Sequence, residues 1–232
     1  MNIVYLHGFG SSVRSAKAAA IHGGLGSAVR RYDVPELDGG DFPGLTMTAM
    51  ADRAEAAVRA ARMAAGPVLV IGSSLGGYLA ALLAAAGRLG PDLLGLVLIA
   101  PAFRFPSRWR ERLGEAGIAA WRRDGSRLFH HYGAERDLPL GVAFLDSCQD
   151  LPDLPGDPGV RVSLIHGRGD ESVAWTDSLA YAQAHAQVEF HLVDGGHALD
   201  SDRDLRLILE MVRWRWDSSD VRGPTSDVAK PA

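Results

Sequence analysis

Three short stretches carry residues whose types and order would suit covalent chemistry. Ser74 stands in GSSLG (residues 72–76), after the apolar run VLVI and before an alanine- and leucine-rich stretch. Asp170 stands in HGRGD (166–170), and His197 in VDGGHAL (193–199). A serine hydroxyl is a poor nucleophile until a base takes its proton. The base in turn needs a carboxylate to hold its other ring nitrogen. Serine, acid and histidine follow one another here in the chain order of nucleophile-elbow sites, whose chemistry is acyl transfer.

Each piece has competitors. Gly-x-Ser-x-Gly is weak alone, because glycine and serine are common in loops. Its context is a strand before and a helix after, which puts Ser74 where amide N–H groups and the helix dipole favour negative charge. The N–H of Leu75 would then face an oxyanion. A phosphate-binding turn has similar composition, but the Rossmann fingerprint and the Walker A lysine are both missing. Of the eight histidines, only His185, His191 and His197 lie far enough downstream, and only His197 sits in a loop after a strand. His7 and His166 lie at strand ends; His130 and His131 lie in an irregular segment. Glu171 competes with Asp170. The turn after Gly169 favours the shorter Asp170, leaving Glu171 to point away or to cap the next helix. The second oxyanion donor is expected in YLHGFG (5–10): Phe9 first, then Gly10. The Phe9 ring would line an acyl pocket, and His7 would fix the loop through hydrogen bonds.

These residues need a frame that brings them together. Five apolar runs (NIVYLHG, VLVIGSS, LLGLVLIAPAF, GVRVSLIHG, VEFHLVDGG) do not alternate cleanly, so they read as strands buried on both faces. RYDVPEL is a weaker sixth. Helical stretches at 15–21, 46–65, 77–89, 176–185 and 202–216 lie between them. Alternating strands and helices imply a mostly parallel six-stranded sheet with right-handed crossovers, helices on both faces and the site at the strands' C-terminal ends. The expected strand order, counting the six runs along the chain, is 2-1-3-4-5-6. Residues 104–158 interrupt the alternation, with helical fragments and no convincing strand. They are expected to form a helical lid within a single 1–216 domain, with Trp109 and Trp121 walling the substrate pocket. Residues 217–232 are expected to be a disordered tail.

Composition narrows the function classes. The chain has 232 residues, 47% apolar and 22% charged, with a net charge of −4. Lysine and arginine are scattered, so no nucleic-acid footprint is expected. One cysteine, Cys148, excludes an intrachain disulfide and reads as a small buried hydrophobe. No apolar run reaches the length of a membrane span, and no basic-then-apolar leader opens the chain. The expectation is a cytoplasmic protein that binds neither membrane nor nucleic acid; its oligomeric state is open.

The stretches YLHGFGSSVRSAKA, GSSLGGY, APAF, HGRGDESV and GGHAL together resemble the α/β-hydrolase superfamily, and more narrowly the small bacterial YqiA-like esterases. The likeness spans most of residues 1–216, is strongest at the N-terminal block and the elbow, and is poor across the lid. It implies a Ser74–Asp170–His197 triad and hydrolysis of a small-molecule ester or thioester, with no cofactor and no metal. It also implies that the first two strands of larger relatives are absent. Ala174 stands where many members place proline, a departure that does not touch the chemistry. A rival within this class is an acyl-CoA thioesterase, for which Arg104, Arg108, Arg110 and Arg112 would form a phosphate-binding patch. A rival from another class is a non-catalytic ligand-binding protein on the same fold, which would be expected to lose a triad member.

Overall fold

The computed structural model describes residues 1–218. Six strands form one parallel sheet: β1 (Asn2–Leu6), β2 (Arg31–Asp33), β3 (Val68–Ser73), β4 (Leu93–Ile99), β7 (Val162–Gly167) and β8 (Val188–Val193). Their spatial order is β2-β1-β3-β4-β7-β8. The two remaining strands, β5 and β6, lie outside this sheet and are described below. Counted along the chain, the six follow the expected order 2-1-3-4-5-6.

The unbroken apolar runs have a simple cause. Within each central strand, neighbouring side chains enter different cores. Val4, Leu6, Val68, Val70, Leu96, Leu98, Val162 and Leu164 belong to one. Ile3, Tyr5, Leu69, Ile71, Val97, Ile99 and Ile165 belong to the other. Helices α2 (Met47–Ala65), α3 (Leu75–Ala85) and α6 (Trp175–Ala184) close the first core; α1 (Ala16–Leu25) and α7 (Asp202–Asp217) close the second. The caps are local. The side-chain oxygens of Ser15, Thr46 and Ser201 accept from Ala18, Ala49 and Asp204 N–H at the starts of α1, α2 and α7. Among the described residues no helix is long and apolar enough to cross a membrane. The expected tail begins inside α7, at Asp217; beyond Ser218 it lies outside the described residues.

Residues 104–158 depart from expectation in one respect. Helix α4 (Phe105–Asp124), kinked at Gly114 (φ 62°), and the short α5 (Val142–Ser147) are helical as anticipated. Between them stands an antiparallel hairpin of β5 (Ser126–His131) and β6 (Arg136–Gly141). Its strands are largely exposed, so it leaves no apolar run in the sequence. Pro139 is tolerated because this two-stranded hairpin has free edges. The excursion returns to its start: Arg104 N–H donates to Asp153 O (2.7 Å), and Ser107 Oγ donates to Asp153 Oδ2 (2.9 Å).

Candidate active site

The chain turns from β3 into α3 within one residue. Ser74 adopts φ 53°, ψ −120°, a conformation that a side chain enters at a cost of about 1–3 kcal/mol. The surroundings hold it there. Ser74 N–H donates to Ile99 O (2.9 Å), and its carbonyl accepts from Gly77 (2.9 Å), Tyr78 (3.1 Å) and Ala102 (2.9 Å) N–H. The turn also packs against the end of β1. A methyl group on Gly76 would stand 2.2 Å from Leu6 O and 2.5 Å from His7 O, both backbone atoms. Gly76→Ala is therefore expected to lose at least about 1–3 kcal/mol of stability, read from the denaturant midpoint, because neither carbonyl can move without displacing β1. A midpoint equal to wild type would contradict that packing.

The acid and the histidine meet because two loops are stitched together. Arg168 N–H donates to Val193 O (2.8 Å) and Gly169 N–H to Gly195 O (2.8 Å). Gly167 allows this approach: a β-carbon there would lie 2.3 Å from Gly195 O. The result is a continuous chain of polar contacts. His197 Nε2 lies 3.0 Å from Ser74 Oγ, and His197 Nδ1 lies 2.7 Å from Asp170 Oδ2. The Asp170 side chain is fully buried, whereas that of His197 is 32% exposed.

Asp170 is held on every side. Its Oδ1 accepts from Ser172 and Val173 N–H, each at 2.8 Å. Its Oδ2 accepts from His197 and from His166 Nε2–H (3.0 Å). Burial pushes this carboxyl up, but the hydrogen bonds from His166, His197 and Val173, together with the facing imidazole charge, outweigh it and hold the group well below the usual carboxylate range. Glu171 is exposed, and no side chain caps the start of α6, so the capping role considered for Glu171 is not taken up.

His166 is the participant that the sequence reading did not place. It is fully buried, with Nδ1 2.7 Å from Ser178 Oγ of α6 and Nε2 on Asp170. Its only sequence signal is a position four residues before the acid at a strand end. Lys17 is a second such residue. Its Nζ lies 3.5 Å from Ser73 Oγ, and burial lowers its pKa to about 8 despite the facing carboxylates of Asp200, Asp170 and Asp204. The other candidate histidines are engaged elsewhere. His7 Nδ1–H donates to Gly8 O (2.9 Å) while Nε2 accepts from Leu37 N–H (3.3 Å), an arrangement that pins the loop after β1. His131 bonds Asp38 (3.0 Å), and His130 bonds Asp137 (3.0 Å).

The residues expected to bind an oxyanion come from two elements. Leu75 opens α3, so its N–H has no carbonyl one turn back in the helix to bond. The loop after β1 runs alongside: a side chain on Gly8 would begin 3.2 Å from Ser74 Cβ. Phe9 follows, and its ring packs on Phe42, Trp109, Phe129 and Phe144 at centroid distances of 5.2–5.7 Å. Phe9, Trp109 and Phe129 border a cavity of roughly 380 Å³. Trp121, expected beside Trp109 as a pocket wall, does not border it. That ring is 1% exposed, packs behind Trp109 and Phe129, and donates its indole N–H to Leu140 O (2.9 Å). The four arginines considered as a phosphate patch are dispersed. Arg104 and Arg108 pair with Asp153 and Asp177, Arg110 donates to Gln149 O, and Arg112 borders the cavity. Cys148 is buried, and its thiol is pushed up to about 12 by that burial, which leaves it unreactive.

A parallel sheet of this order with a strained serine between β3 and α3 defines the α/β-hydrolase fold, and solved structures agree. Mouse alpha/beta hydrolase domain-containing protein 10 matches with TM-score 0.76 at 22% identity, over 93% of this chain and 89% of that one. Est1E from Butyrivibrio proteoclasticus matches with TM-score 0.74 at 19% identity, over 95% and 88%. A thermophilic esterase from Thermogutta terrifontis matches with TM-score 0.64 at 22% identity, over 93% and 89%. The chain belongs to the uncharacterised protein family UPF0227, the YqiA-like family, whose model matches residues 2–208. No curated protein matches the sequence.

Proposed function

We propose that the protein is a serine hydrolase cleaving small-molecule carboxylic esters through an acyl-enzyme on Ser74. The observation that carries this reading is the Ser74–His197–Asp170 chain, at 3.0 and 2.7 Å. Unprotonated His197 Nε2 takes the Ser74 proton as Oγ attacks the ester carbonyl. Asp170 holds Nδ1–H and stabilises the imidazolium that forms. The N–H groups of Leu75 and Phe9 donate to the oxyanion, and such donors contribute roughly 3 kcal/mol each. His197 then protonates the leaving alkoxide. In the second half, His197 takes a proton from water, the resulting hydroxide attacks the acyl-enzyme, and the acid is released as Ser74 regains its proton. The reaction needs no cofactor and no metal. His166 is a positioning residue in this scheme: it acts on Asp170 and not on substrate.

Two observations favour ester hydrolysis over the rival readings. All three members of the triad are present and mutually bonded, unlike a binding protein that has shed its chemistry. The dispersal of Arg104, Arg108 and Arg110 onto other partners removes most of the patch expected of a dedicated acyl-CoA site. The names of Est1E and the Thermogutta terrifontis enzyme point the same way.

A panel of p-nitrophenyl esters and acyl-CoAs tests the reading. Turnover of the esters is expected in wild type and is expected to be lost in Ser74→Ala. Asp170, held well below the usual carboxylate range, stays ionised at neutral pH and adds no inflection to the pH profile there. Inert esters of every chain length would overturn the proposal.

We assign residues 104–158 as the lid that selects substrate. Trp109→Ala is expected to change chain-length preference across the panel. Trp121→Ala is expected to cost about 3–5 kcal/mol of stability instead, since it empties a fully buried site and removes the indole hydrogen bond to Leu140 O. Denaturant midpoints measured beside the ester panel separate the two effects.

A further inference from the structure

The cavity under the lid is more specific than an acyl slot. Its floor is aromatic: the rings of Trp109 and Phe129 stack at 4.9 Å and 4°, and Phe9 stands edge-on to both. Phe9 also belongs to the loop whose Gly8 lies against Ser74, so this one residue links the groove wall to the surroundings of the reacting serine, while Ser74 and His197 do not themselves line the groove. Its volume, roughly 380 Å³, falls within the range of small-molecule sites.

The rim bears two exposed arginines, Arg112 from α4 and Arg127 from β5. They differ from other arginines of the same segment. Arg104, Arg108, Arg122 and Arg123 each hold a carboxylate, of Asp153, Asp177, Asp146 and Asp124 respectively. The guanidinium groups of Arg112 and Arg127 have no ion-pair or hydrogen-bond partner among the described residues. The kink at Gly114 and the hairpin bring these guanidinium groups to one opening, and Arg127 Nη1 reaches over Gly117 of α4. Asp137 does not neutralise them, because His130 holds it on the hairpin. An aromatic trough with two unpaired guanidinium groups at its mouth is complementary to an apolar body ending in an anion. Guanidinium matches carboxylate or phosphate oxygens through paired N–H donors.

We propose that the substrate class is an ester with an apolar body and a carboxylate or phosphate remote from the scissile carbonyl, bound by Arg112 and Arg127. This rests on the hydrolase reading above and adds the charge of the substrate to it. Two matched pairs locate the anion. A p-nitrophenyl half-ester of a medium-chain dicarboxylic acid against the neutral monoacid ester of equal length places it on the acyl side. A medium-chain acyl-CoA against the same acyl group on N-acetylcysteamine places it on the leaving group. In at least one pair the anionic member is expected to have a kcat/KM about 3–30-fold higher, the range for two solvent-exposed charge contacts. That ratio should fall towards one in the Arg112→Gln/Arg127→Gln double variant and with rising salt. Ratios near one in both wild-type pairs, or a preference unchanged in the double variant, would overturn the proposal. Calorimetric titration of wild-type protein with decanoate and with decanol reads the groove without chemistry. Tighter binding of decanoate, weakened in the double variant, would support the anion site even if every ester were inert and only the hydrolase reading had failed. Equal or absent binding of the two would overturn it.

Discussion

Ser74→Ala is expected to reduce ester turnover about 10⁶-fold with little change in stability, because it removes the attacking atom while keeping the backbone. Alanine carries the same positive-φ strain as serine, and the four backbone hydrogen bonds around residue 74 do not involve its side chain. A fluorophosphonate should label Ser74, identified by peptide mapping, and lose its target in Ser74→Ala. Ser73 is the control. Its Oγ faces Lys17 and not His197, so Ser73→Ala should still be labelled at residue 74. Labelling at Ser73, or turnover surviving in Ser74→Ala, would overturn the assignment.

Asp170→Asn should cost on the order of 10⁴-fold in kcat, through tautomer and not shape. Asparagine can keep its oxygen towards Ser172 and Val173 N–H, which places its NH₂ against His166 and His197. His197 must then accept at Nδ1 and present Nε2–H to Ser74, so it can no longer take the hydroxyl proton. Glu171→Gln, in an exposed side chain, should behave as wild type. Reversed effects would mean that the acid is misassigned. The same substitution alters acid stability. A carboxyl held below its unfolded value contributes stability above the unfolded pKa, about 3.9, and loses it as pH falls towards the folded value. Asp170→Asn should therefore be less stable than wild type at neutral pH, with the gap closing in acid, as read from urea midpoints across pH.

The central strands were legible because a strand buried on both faces writes an unbroken apolar run, and β1, β3, β4 and β7 are nearly all buried. The weak signal of β2 matches its three half-buried residues at the sheet edge. The hairpin was not legible for the opposite reason: Arg127, Leu128, His130, Arg136 and Asp137 face solvent, so neither period is visible. Ser74, Asp170 and His197 could be read because glycines mark the sharp turns that place them. His166 could not, since its second partner, Ser178, comes from a helix that the sequence does not align with it. Trp109 and Trp121 looked equivalent. Which ring borders the cavity depends on the Gly114 kink and on Leu140 O, and neither is a local property of tryptophan.

The excursion from Arg104 to Asp153 leaves and re-enters the sheet at almost one point, with its two ends bonded to each other, while β4 and β7 pair directly without it. Such a segment can change length at its exposed hairpin, while Phe105, Trp121, Leu140 and Phe144 within it stay packed in the main core. Lengthening or shortening it there leaves the end-to-end span fixed and changes the closure entropy only slowly, by about 0.6 kcal/mol per doubling of length. Ser74, Asp170 and His197 all lie outside it. On the proposed reading of this segment as the substrate-selecting lid, preference can diverge by insertion and deletion, as well as by point change, while the proposed triad keeps its frame. On that reading, a graft between positions 104 and 153 is the natural unit for moving selectivity from one such scaffold to another.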